Sequence, residues 1–391
     1  MEKNTPIRND FLIFGSPAIE QPEIDEVVKC LKSGWLGTGP RVHKFENAFR
    51  DYIGSKYAMA LNSCTAALHL SMLVSGVSAG DEVITTPMTF AATGNAILHT
   101  GAKPVFVDVE KDSMNIDPNL IEKAVTSKTK AILPVHFAGR PCKMDHIMEI
   151  AQKNNLLVIE DAAHAIEAKY KGQKIGNIGE MTCFSFYVTK NLVTGEGGMV
   201  TTNNEEWAKK IKIFGLHGMS KDAWKRFADE GYKHYQVVSP GFKYNMMDIQ
   251  ASLGIHQLER LDKNFERRKK IWDIYNKAFE GLPLTTPREE KDTVHARHLY
   301  TILLDINKLK ISRDEFMTAL QKENIGTGVH YISLHLQPYY KETFGFNEND
   351  FPNSLYISKR TVSIPFSAKL TEKDTQDVIH AITKVINHNI K

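Results

Sequence analysis

The chain has 391 residues, of which 42% are hydrophobic and 24% are charged, as in ordinary globular proteins. A single core seldom grows to this length, so we expect two domains. The 49 basic and 46 acidic side chains give a net charge of +3, and no block of Lys and Arg stands out. The composition therefore gives no reason to expect a nucleic-acid partner.

The cysteines and the apolar runs exclude further classes of protein. The cysteines lie far apart and form no C-x-x-C pair, which argues against a zinc knuckle, a redox pair or a disulfide framework: Cys30, Cys64, Cys142 and Cys183. The first residues carry scattered charges without a signal-peptide core, and no run approaches the roughly 20 apolar residues of a membrane span. We therefore expect a cytoplasmic protein with neither a membrane partner nor a bound metal.

Short apolar runs alternate with longer amphipathic runs between residues 56 and 162. They predict strands at 56–62, 82–87, 103–109, 130–136 and 156–162, and helices at 65–76, 90–101, 120–127 and 144–155. The strands are continuously rather than alternately apolar, as in a mostly parallel sheet with helices on both faces. The sequence therefore predicts an α/β fold for this part of the chain.

The pattern changes after residue 246. Six apolar side chains at helical spacing predict a connecting helix whose stripe is a packing seam: Leu258, Leu261, Phe265, Trp272, Tyr275 and Phe279. A strand at 298–304 and helices at 312–324 and 372–386 then predict a smaller α+β domain. We divide the chain into a large domain at 1–260 and a small C-terminal domain at 261–391.

Three polar clusters follow predicted strands, at 62–65, 161–164 and 189–191. In open α/β sheets, ligands bind at the carboxyl ends of the strands. The first cluster, Asn62-Ser-Cys-Thr65, opens a helix whose free N–H groups suit a phosphate. An ordinary helix cap by Ser63 or Thr65 explains the same residues at least as well.

The second cluster lies in VIEDAAHA, at residues 158–165. Two adjacent acids at the end of a buried strand are costly unless they are paired. Asp161 could pair with a protonated heterocycle or a metal, or it could cap a helix. His164 could reach the same ligand, or it could simply be hydrogen-bonded within the fold.

The third cluster contains Lys190, in SFYVTKNLVTGEGGMVTT at residues 185–202. A lysine between two buried strands could balance an anion, or, once partly deprotonated, form a Schiff base with a carbonyl. The segment lacks the G-x-x-x-x-G-K-[ST] pattern of a P-loop, and Gly37-Thr-Gly39 is too short for a dinucleotide fingerprint. A phosphate seat, an acid for a pyridinium nitrogen and a Schiff-base lysine together match the requirements of pyridoxal phosphate (PLP).

The sequence also resembles the PLP-dependent sugar aminotransferases of the DegT/DnrJ/StrS family, which have the aspartate aminotransferase architecture (fold type I). The resemblance runs from SGWLGTGP at Ser33 to RTVSIPFSAKLTEKD at Arg360. Its motifs are NSCTAALHL, TTPMTFAAT, GAKPVFVDV, VIEDAAHA, FSFYVTKN, TGEGGMVTT, GFKYNMMDIQASLG and IGTGVHY.

The resemblance implies a role for each matching residue. Lys190 would hold PLP covalently and move protons, Asp161 would pair with the pyridine nitrogen, and His164 would lie against the ring. Phe90 would stack on the ring face, unless it is ordinary core. The phosphate would be bound by Cys64, Thr65 and Ser185, and by Asn245 from the partner subunit, which implies a homodimer.

Within that family the chain looks most like enzymes that aminate carbon 4 of a nucleotide-linked keto sugar, with an amino acid such as L-glutamate as the donor. Trp35, His330 and Tyr331 are the substrate-side candidates, and their alternative is ordinary packing. The alternatives for the activity are amination at carbon 3, a PLP-dependent 3-dehydratase and a regulatory protein with a PLP-enzyme fold. Lys190 favours transamination, because the dehydratase offshoot carries His there.

Two residues depart from the pattern of the relatives. Cys64 stands where relatives usually carry Gly or Ala, and a small side chain is tolerable there if the phosphate contact is made by the backbone N–H. Tyr187 stands where many relatives have His, which leaves the local substrate contacts open.

Overall fold

The computed structural model describes residues 5–220 and 235–391, and a mixed seven-stranded sheet forms its centre. The strands in chain order are β1 Tyr57–Leu61, β2 Glu82–Thr85, β3 Lys103–Phe106, β4 Thr129–Ile132, β5 Leu157–Asp161, β6 Lys169–Tyr170, β7 Gln173–Lys174, β8 Met181–Ser185, β9 Gly198–Thr202, β10 Leu284–Thr285, β11 Thr293–Val294, β12 Tyr300–Leu304 and β13 Thr361–Ile364. The α-helices are α1 Gln21–Ser33, α2 Pro40–Ile53, α3 Cys64–Val74, α4 Ala91–His99, α5 Pro118–Ala124, α6 Met144–Asn154, α7 Glu205–Phe214, α8 Asp248–Glu259, α9 Leu261–Ala278, α10 Arg313–Lys322, α11 Pro338–Phe344, α12 Pro352–Ser358 and α13 Glu372–His388.

The large sheet has the strand order β1-β9-β8-β5-β4-β2-β3. The pairs from β8 through β3 are parallel, whereas β9 runs antiparallel to both β1 and β8. The predicted α/β fold with a mostly parallel sheet is therefore confirmed. Six of the seven strands point the same way, so their carboxyl ends meet at one edge.

Two apolar cores cover the two faces of this sheet. One contains α2, α6 and α8, with Phe45 and Phe49 against Phe184 and Phe186. The other is built around α3, whose residues are nearly all buried. Strands buried on both faces explain why their sequences are continuously apolar.

The predicted connecting helix is divided in two. Arg260, at φ −113° and ψ 14°, ends α8 and precedes α9, so the apolar stripe spans two helices rather than one. Leu261 belongs to the core of the large sheet, whereas Trp272 and Tyr275 belong to a core with β12, β13 and α13. The stripe is a packing seam, as predicted.

The C-terminal region is an antiparallel sheet, β10-β12-β13, covered by α9, α10 and α13. Residues at the start of the chain also pack there: Leu12 pairs with Ile325, and Arg8 binds Asp374 and Asp377. The division at residues 260 and 261 stays a prediction.

The structure also bears on the cysteines and on membrane insertion. All four cysteines are buried and free. In the part of the chain that the structure describes, no helix is long and apolar enough to cross a bilayer.

Candidate active site

The three polar clusters meet at the carboxyl edge of the large sheet. Strand register explains how: Leu61 of β1 lies opposite Gly198 of β9, and Gly198 lies opposite Ser185 of β8. The end of β1, which leads into α3, and the end of β8, which leads to Lys190, therefore flank the start of β9.

The beginning of α3 forms a seat of free backbone N–H groups. The side chain of Ser63 caps the helix by accepting from the N–H of Ala66 (3.1 Å), so the predicted ordinary cap is present. The N–H groups of Cys64 and Thr65, at the first two helical positions, have no intrahelical partner and can face a phosphate. The helix cap and the free N–H groups for a phosphate, which the sequence presented as alternatives, are therefore compatible at the start of α3.

Gly198 shapes this seat. A Cβ on Gly198 would lie 2.5 Å from the carbonyl carbon of Ser63 and 2.6 Å from the nitrogen of Cys64, so only glycine lets β9 approach the helix start so closely. The Cys64 side chain packs in the core around α3, which leaves its backbone for a ligand. This packing is compatible with a phosphate contact through the backbone N–H of Cys64, which stays a prediction.

Asp161 ends β5 with its carboxylate in the site. Its Oδ2 accepts from the hydroxyl of Thr93 (2.8 Å), its Oδ1 accepts from the N–H of Ala163 (3.1 Å), and the residue is buried. Burial raises the pKa of Asp161 despite these bonds, and the Lys190 charge opposes that rise. Asp161 caps no helix, so that alternative is wrong.

The neighbouring acid, Glu160, points to the opposite face of β5, as successive strand residues do. Its carboxylate is bonded to His136 (2.9 Å), the hydroxyl of Thr182 (2.7 Å) and the N–H of Gly179 (2.8 Å). The adjacent acids thus have separate partners, and only Asp161 is directed to the site.

Lys190 lies in the loop between β8 and β9, where its N–H donates to the carbonyl of Tyr187 (2.8 Å). Burial lowers the pKa of Lys190 to about 8, while the nearby Cys64 and Asp161 partly oppose that shift. The T-G-E-G-G segment after Lys190 leads the chain into β9, and Gly195 within it adopts φ 82°. Gly195 forms a β-bridge with Tyr187, whose side chain is exposed. An amine with a lowered pKa is suited to attack a carbonyl and to transfer protons near neutral pH.

His164 is held in one tautomer. Its Nδ1 accepts from the N–H of Ala138 (3.2 Å), and its Nε2 lies 3.3 Å from the hydroxyl of Tyr331. Because a peptide N–H only donates, the hydrogen of the neutral ring is on Nε2. Burial lowers the pKa of His164 well below its usual range.

Three further predicted residues lie around this centre. Phe90 is 61% exposed at the start of α4, so it is not core, and its ring is 6.1 Å from that of Tyr331. The Tyr331 ring stacks on His164. His330 bonds through Nδ1 to the hydroxyl of Ser363 (2.8 Å), and its pKa is lowered to about 4, chiefly by burial.

Trp35 and Asn245 form a separate group around Thr38. The indole N–H of Trp35 donates to the Thr38 carbonyl (3.1 Å), and Asn245 donates to the Thr38 hydroxyl (2.7 Å). Asn245 also pairs with Leu61, and its Oδ1 is buried without a hydrogen-bond partner in the described structure. Among the described residues, neither Trp35 nor Asn245 forms a hydrogen bond with Lys190.

Sequence reasoning missed Thr93 and the residues that hold the Lys190 loop. Thr93 and Thr89 are bonded to each other (2.7 Å), at the i and i+4 spacing of the α4 start, and this spacing inside TTPMTFAAT was an available signal. Asn191 belongs to the third predicted polar cluster, but nothing in the sequence indicated its bonds to Glu167 (2.8 Å) and His298 (3.1 Å). Among residues 5–220 and 235–391, no three or more His, Cys, Asp or Glu side chains are grouped to hold a metal ion.

The donor set fits PLP. Free N–H groups and Ser185 suit the phosphate, Asp161 suits a pyridinium nitrogen, and Lys190 suits the carbonyl of the cofactor. With the mixed, mostly parallel sheet, these features define a PLP-dependent transferase of fold type I.

Residues 17–383 match the DegT/DnrJ/EryC1/StrS aminotransferase family, and the chain belongs to that family. It is 51% identical over 381 residues to the spore coat polysaccharide biosynthesis protein SpsC of Bacillus subtilis, covering 97% of this chain and 98% of that protein.

Solved structures agree with this assignment. A structure from Streptococcus pneumoniae, described as the sugar aminotransferase Spr1654 in its PMP form, has a TM-score of 0.91 at 35% identity, covering 96% of this chain and 99% of that chain. The same protein is known in a PLP form. Helicobacter pylori PseC, an aminotransferase of pseudoaminic acid biosynthesis, has a TM-score of 0.90 at 28% identity, covering 97% of this chain and 100% of that chain. The predicted sugar aminotransferase family and its PLP cofactor are confirmed.

Proposed function

We propose that this chain transfers the amino group of L-glutamate to carbon 4 of a nucleotide-linked 4-keto sugar, in the cytoplasm, for a surface polysaccharide such as lipopolysaccharide or for another glycan. The observation that carries the reaction is Lys190, with its pKa lowered to about 8, at one sheet edge with Asp161 and the start of α3. The choice of carbon 4 rests on the motifs SGWLGTGP, FKYNMMDIQAS and IGTGVHYISLHLQPYY. The polysaccharide setting is supported by similarity to SpsC and PseC.

Each residue of the site has a separate role in the proposed reaction. PLP, when bound, supplies an electron sink that accepts the electron pair of a broken carbon–hydrogen bond. The Asp161 carboxylate holds the proton of the ring nitrogen, and Cys64, Thr65 and Ser185 anchor the phosphate. Lys190 takes a proton with Nζ from the donor amino acid and returns one to the sugar carbon. His164 would lie against the cofactor ring, with its Nε2 next to the hydroxyl of Tyr331 (3.3 Å).

The substrate would bind against aromatic side chains. The exposed ring of Phe90 and the ring of Tyr331 offer flat apolar surfaces, which suit a cofactor ring and the face of a sugar. His330 adjoins Tyr331 in the chain, and burial keeps its imidazole neutral. Trp35 is 46% exposed and would contact the substrate from the edge of the site.

A second copy of the chain would complete the site. One face of α1 exposes Ile24, Val28 and Leu31 at helical spacing, and Trp35 and Leu36 continue that apolar surface. Asn245 lies near its end, with its buried Oδ1 unpartnered in the described structure. A homodimer would cover this surface and bring Asn245 of the partner subunit to the phosphate.

A panel of UDP-, GDP- and dTDP-linked 4-keto sugars, with L-glutamate and PLP, tests the activity. Mass spectrometry of the products separates amine gain from the water loss of a 3-dehydratase, and NMR of the aminated sugar separates carbon 4 from carbon 3. We expect amine gain at carbon 4 with at least one sugar, and none with Lys190→Ala. Water loss, amination at carbon 3, or activity in Lys190→Ala would contradict the proposal. Specific DNA binding without turnover of any sugar would favour the regulatory alternative.

A further inference from the structure

The Gly37-Thr-Gly39 turn lies against the segment that carries Asn245, although 207 residues separate Thr38 from Asn245. Asp248 makes this connection with its backbone and its side chain. Its N–H donates to the carbonyl of Gly37 (3.0 Å), and its Oδ1 accepts from the N–H of Gly39 (2.8 Å). The same carboxylate accepts from two further N–H groups at the start of α2. The fold itself therefore holds the turn beside Asn245.

Trp35 covers the other side of this turn. Its indole N–H donates to the carbonyl of Thr38 (3.1 Å). A Cβ on Gly39 would lie 1.9 Å from the indole nitrogen, so only glycine at this position admits the ring. The backbone of Thr38 is thus held between Trp35 and the Asn245 segment, which leaves its hydroxyl little freedom of position.

The hydroxyl of Thr38 has one hydrogen, and the carbonyl of Met246 takes it. The two oxygens are 2.5 Å apart, and a carbonyl only accepts, so the hydroxyl must be the donor. Towards the side chain of Asn245, 2.7 Å away, the hydroxyl can then only accept. An amide donates through its nitrogen alone, so the atom against Thr38 is Nδ2. The single hydrogen of Thr38 therefore decides how the amide of Asn245 is turned.

This orientation leaves Asn245 with an N–H to offer. An amide nitrogen carries two hydrogens, and among the described residues only Thr38 accepts one of them. Oδ1 is buried without a hydrogen-bond partner in the described structure, so nothing around the oxygen favours this orientation. The ionised oxygens of a phosphate accept hydrogen bonds, and bonds to them are stronger than those between neutral groups. An N–H, rather than Oδ1, is therefore the group that a phosphate requires from Asn245.

We propose that Thr38 is a positioning residue for the cofactor phosphate: by accepting from Nδ2, it turns the amide of Asn245 so that the second N–H, and not Oδ1, faces the phosphate in the partner subunit's site. The inference rests on the proposed role of Asn245 across the dimer. In the opposite orientation, lone pairs of Oδ1 and of the Thr38 hydroxyl would meet. Without that hydroxyl, both orientations become accessible, and a fraction of the sites would present Oδ1 to the phosphate. The motifs SGWLGTGP and FKYNMMDIQAS would thus act together on one ligand group.

A comparison of PLP with pyridoxal, which lacks the phosphate, tests this role. Equilibrium titration of cofactor-free protein, followed by absorbance, gives both affinities, and their ratio measures the preference for the phosphate. Thr38→Val removes the hydroxyl at nearly constant shape, and Thr38→Ser keeps it. We expect the ratio to fall about tenfold in Thr38→Val, through weaker PLP binding alone, and to be retained in Thr38→Ser. A merely structural role would weaken the binding of both compounds alike and leave the ratio unchanged.

An unchanged ratio in folded Thr38→Val, or an equal fall in Thr38→Ser, would overturn the proposal. If Thr38→Val fails to fold, Thr38→Ala, which places no methyl group against the amide, replaces it with the same two outcomes. A double variant adds a further check, because Thr38 is proposed to act through Asn245. We expect Thr38→Val to change the ratio no further once Asn245→Ala is present, and an additional fall would contradict the proposal.

Thr201→Val is the matched control. The hydroxyl of Thr201 also donates to a backbone carbonyl, that of Gly176 (2.8 Å), but no amide side chain in the described structure donates to it. We expect this variant to lower the thermal unfolding temperature without changing the ratio. A fall as large as that in Thr38→Val would assign the effect to general disturbance and count against the proposal.

Asn245→Ala separates this inference from the proposed function. An unchanged ratio in Asn245→Ala would contradict the proposed phosphate role of Asn245 itself. A fall in Asn245→Ala without one in Thr38→Val would contradict only the role of Thr38.

Discussion

At the scale of single residues, the amine of Lys190 controls when the cofactor can be captured, because only its neutral form is a nucleophile. Burial lowers its pKa from the ordinary 10.5 to about 8. In cofactor-free protein, we expect the rate of PLP capture to rise about tenfold per pH unit below the pKa and to level off above it. Stopped-flow absorbance measures this rate. A rise that continued well above pH 8 would show that Lys190 keeps an ordinary pKa.

The sequence revealed residues whose chemistry is unusual for their position, and it missed residues whose importance comes from their partners. Lys190 between two buried strands and Asp161 at a strand end were both anomalies that needed a ligand or a partner. Thr93 and Thr38 are ordinary in their segments. Their roles depend on contacts with Asp161, 68 residues away, and with Asn245, 207 residues away. Such long-range contacts leave no local pattern in a single sequence.

At the scale of secondary-structure elements, the approach of β9 to the start of α3 depends on Gly198. In Gly198→Ala, the new Cβ would lie 2.5 Å from the backbone of Ser63, so the strand and the helix must move apart. We expect PLP affinity to fall by about tenfold or more, since overpacking of this kind costs roughly 1–3 kcal/mol. Equilibrium titration of cofactor-free protein with PLP measures the loss.

Ser63→Ala is the comparison for Gly198→Ala. It removes the cap on the N–H of Ala66 but leaves the N–H groups of Cys64 and Thr65 free. We expect the free energy of unfolding to fall by about 1 kcal/mol, with a smaller loss of PLP affinity than in Gly198→Ala. If both variants lost affinity only in proportion to stability, the close approach of β9 would have no specific role.

Local patterns were sufficient to predict most helices and strands, but not the direction of each strand or the break between two consecutive helices. The apolar run at β9 reads the same for either direction, so its antiparallel pairing with β1 and β8 follows from the whole sheet. The break between α8 and α9 occurs at Arg260, a residue that itself favours helix, so propensity gave no warning of it.

At the scale of the whole molecule, the proposed homodimer makes each site depend on two chains. Lys190 of one subunit and Asn245 of the partner subunit would serve the same phosphate. Two variants, Lys190→Ala and Asn245→Ala, then inactivate the homodimers by damaging different halves of the site. In a mixed dimer, one site would contain both substitutions and the other would be intact.

Refolding or co-expressing the two variants together therefore tests the arrangement. With random pairing, half of the dimers are mixed and each has one intact site, so we expect about a quarter of wild-type activity from two nearly inactive proteins. Lys190→Ala mixed with wild-type chains controls for subunit exchange. If Asn245 instead served its own chain, every site in the mixed dimer would carry one substitution and no activity would return. Size-exclusion chromatography with light scattering must show a dimer in each sample, and a monomer with full activity would exclude a shared site.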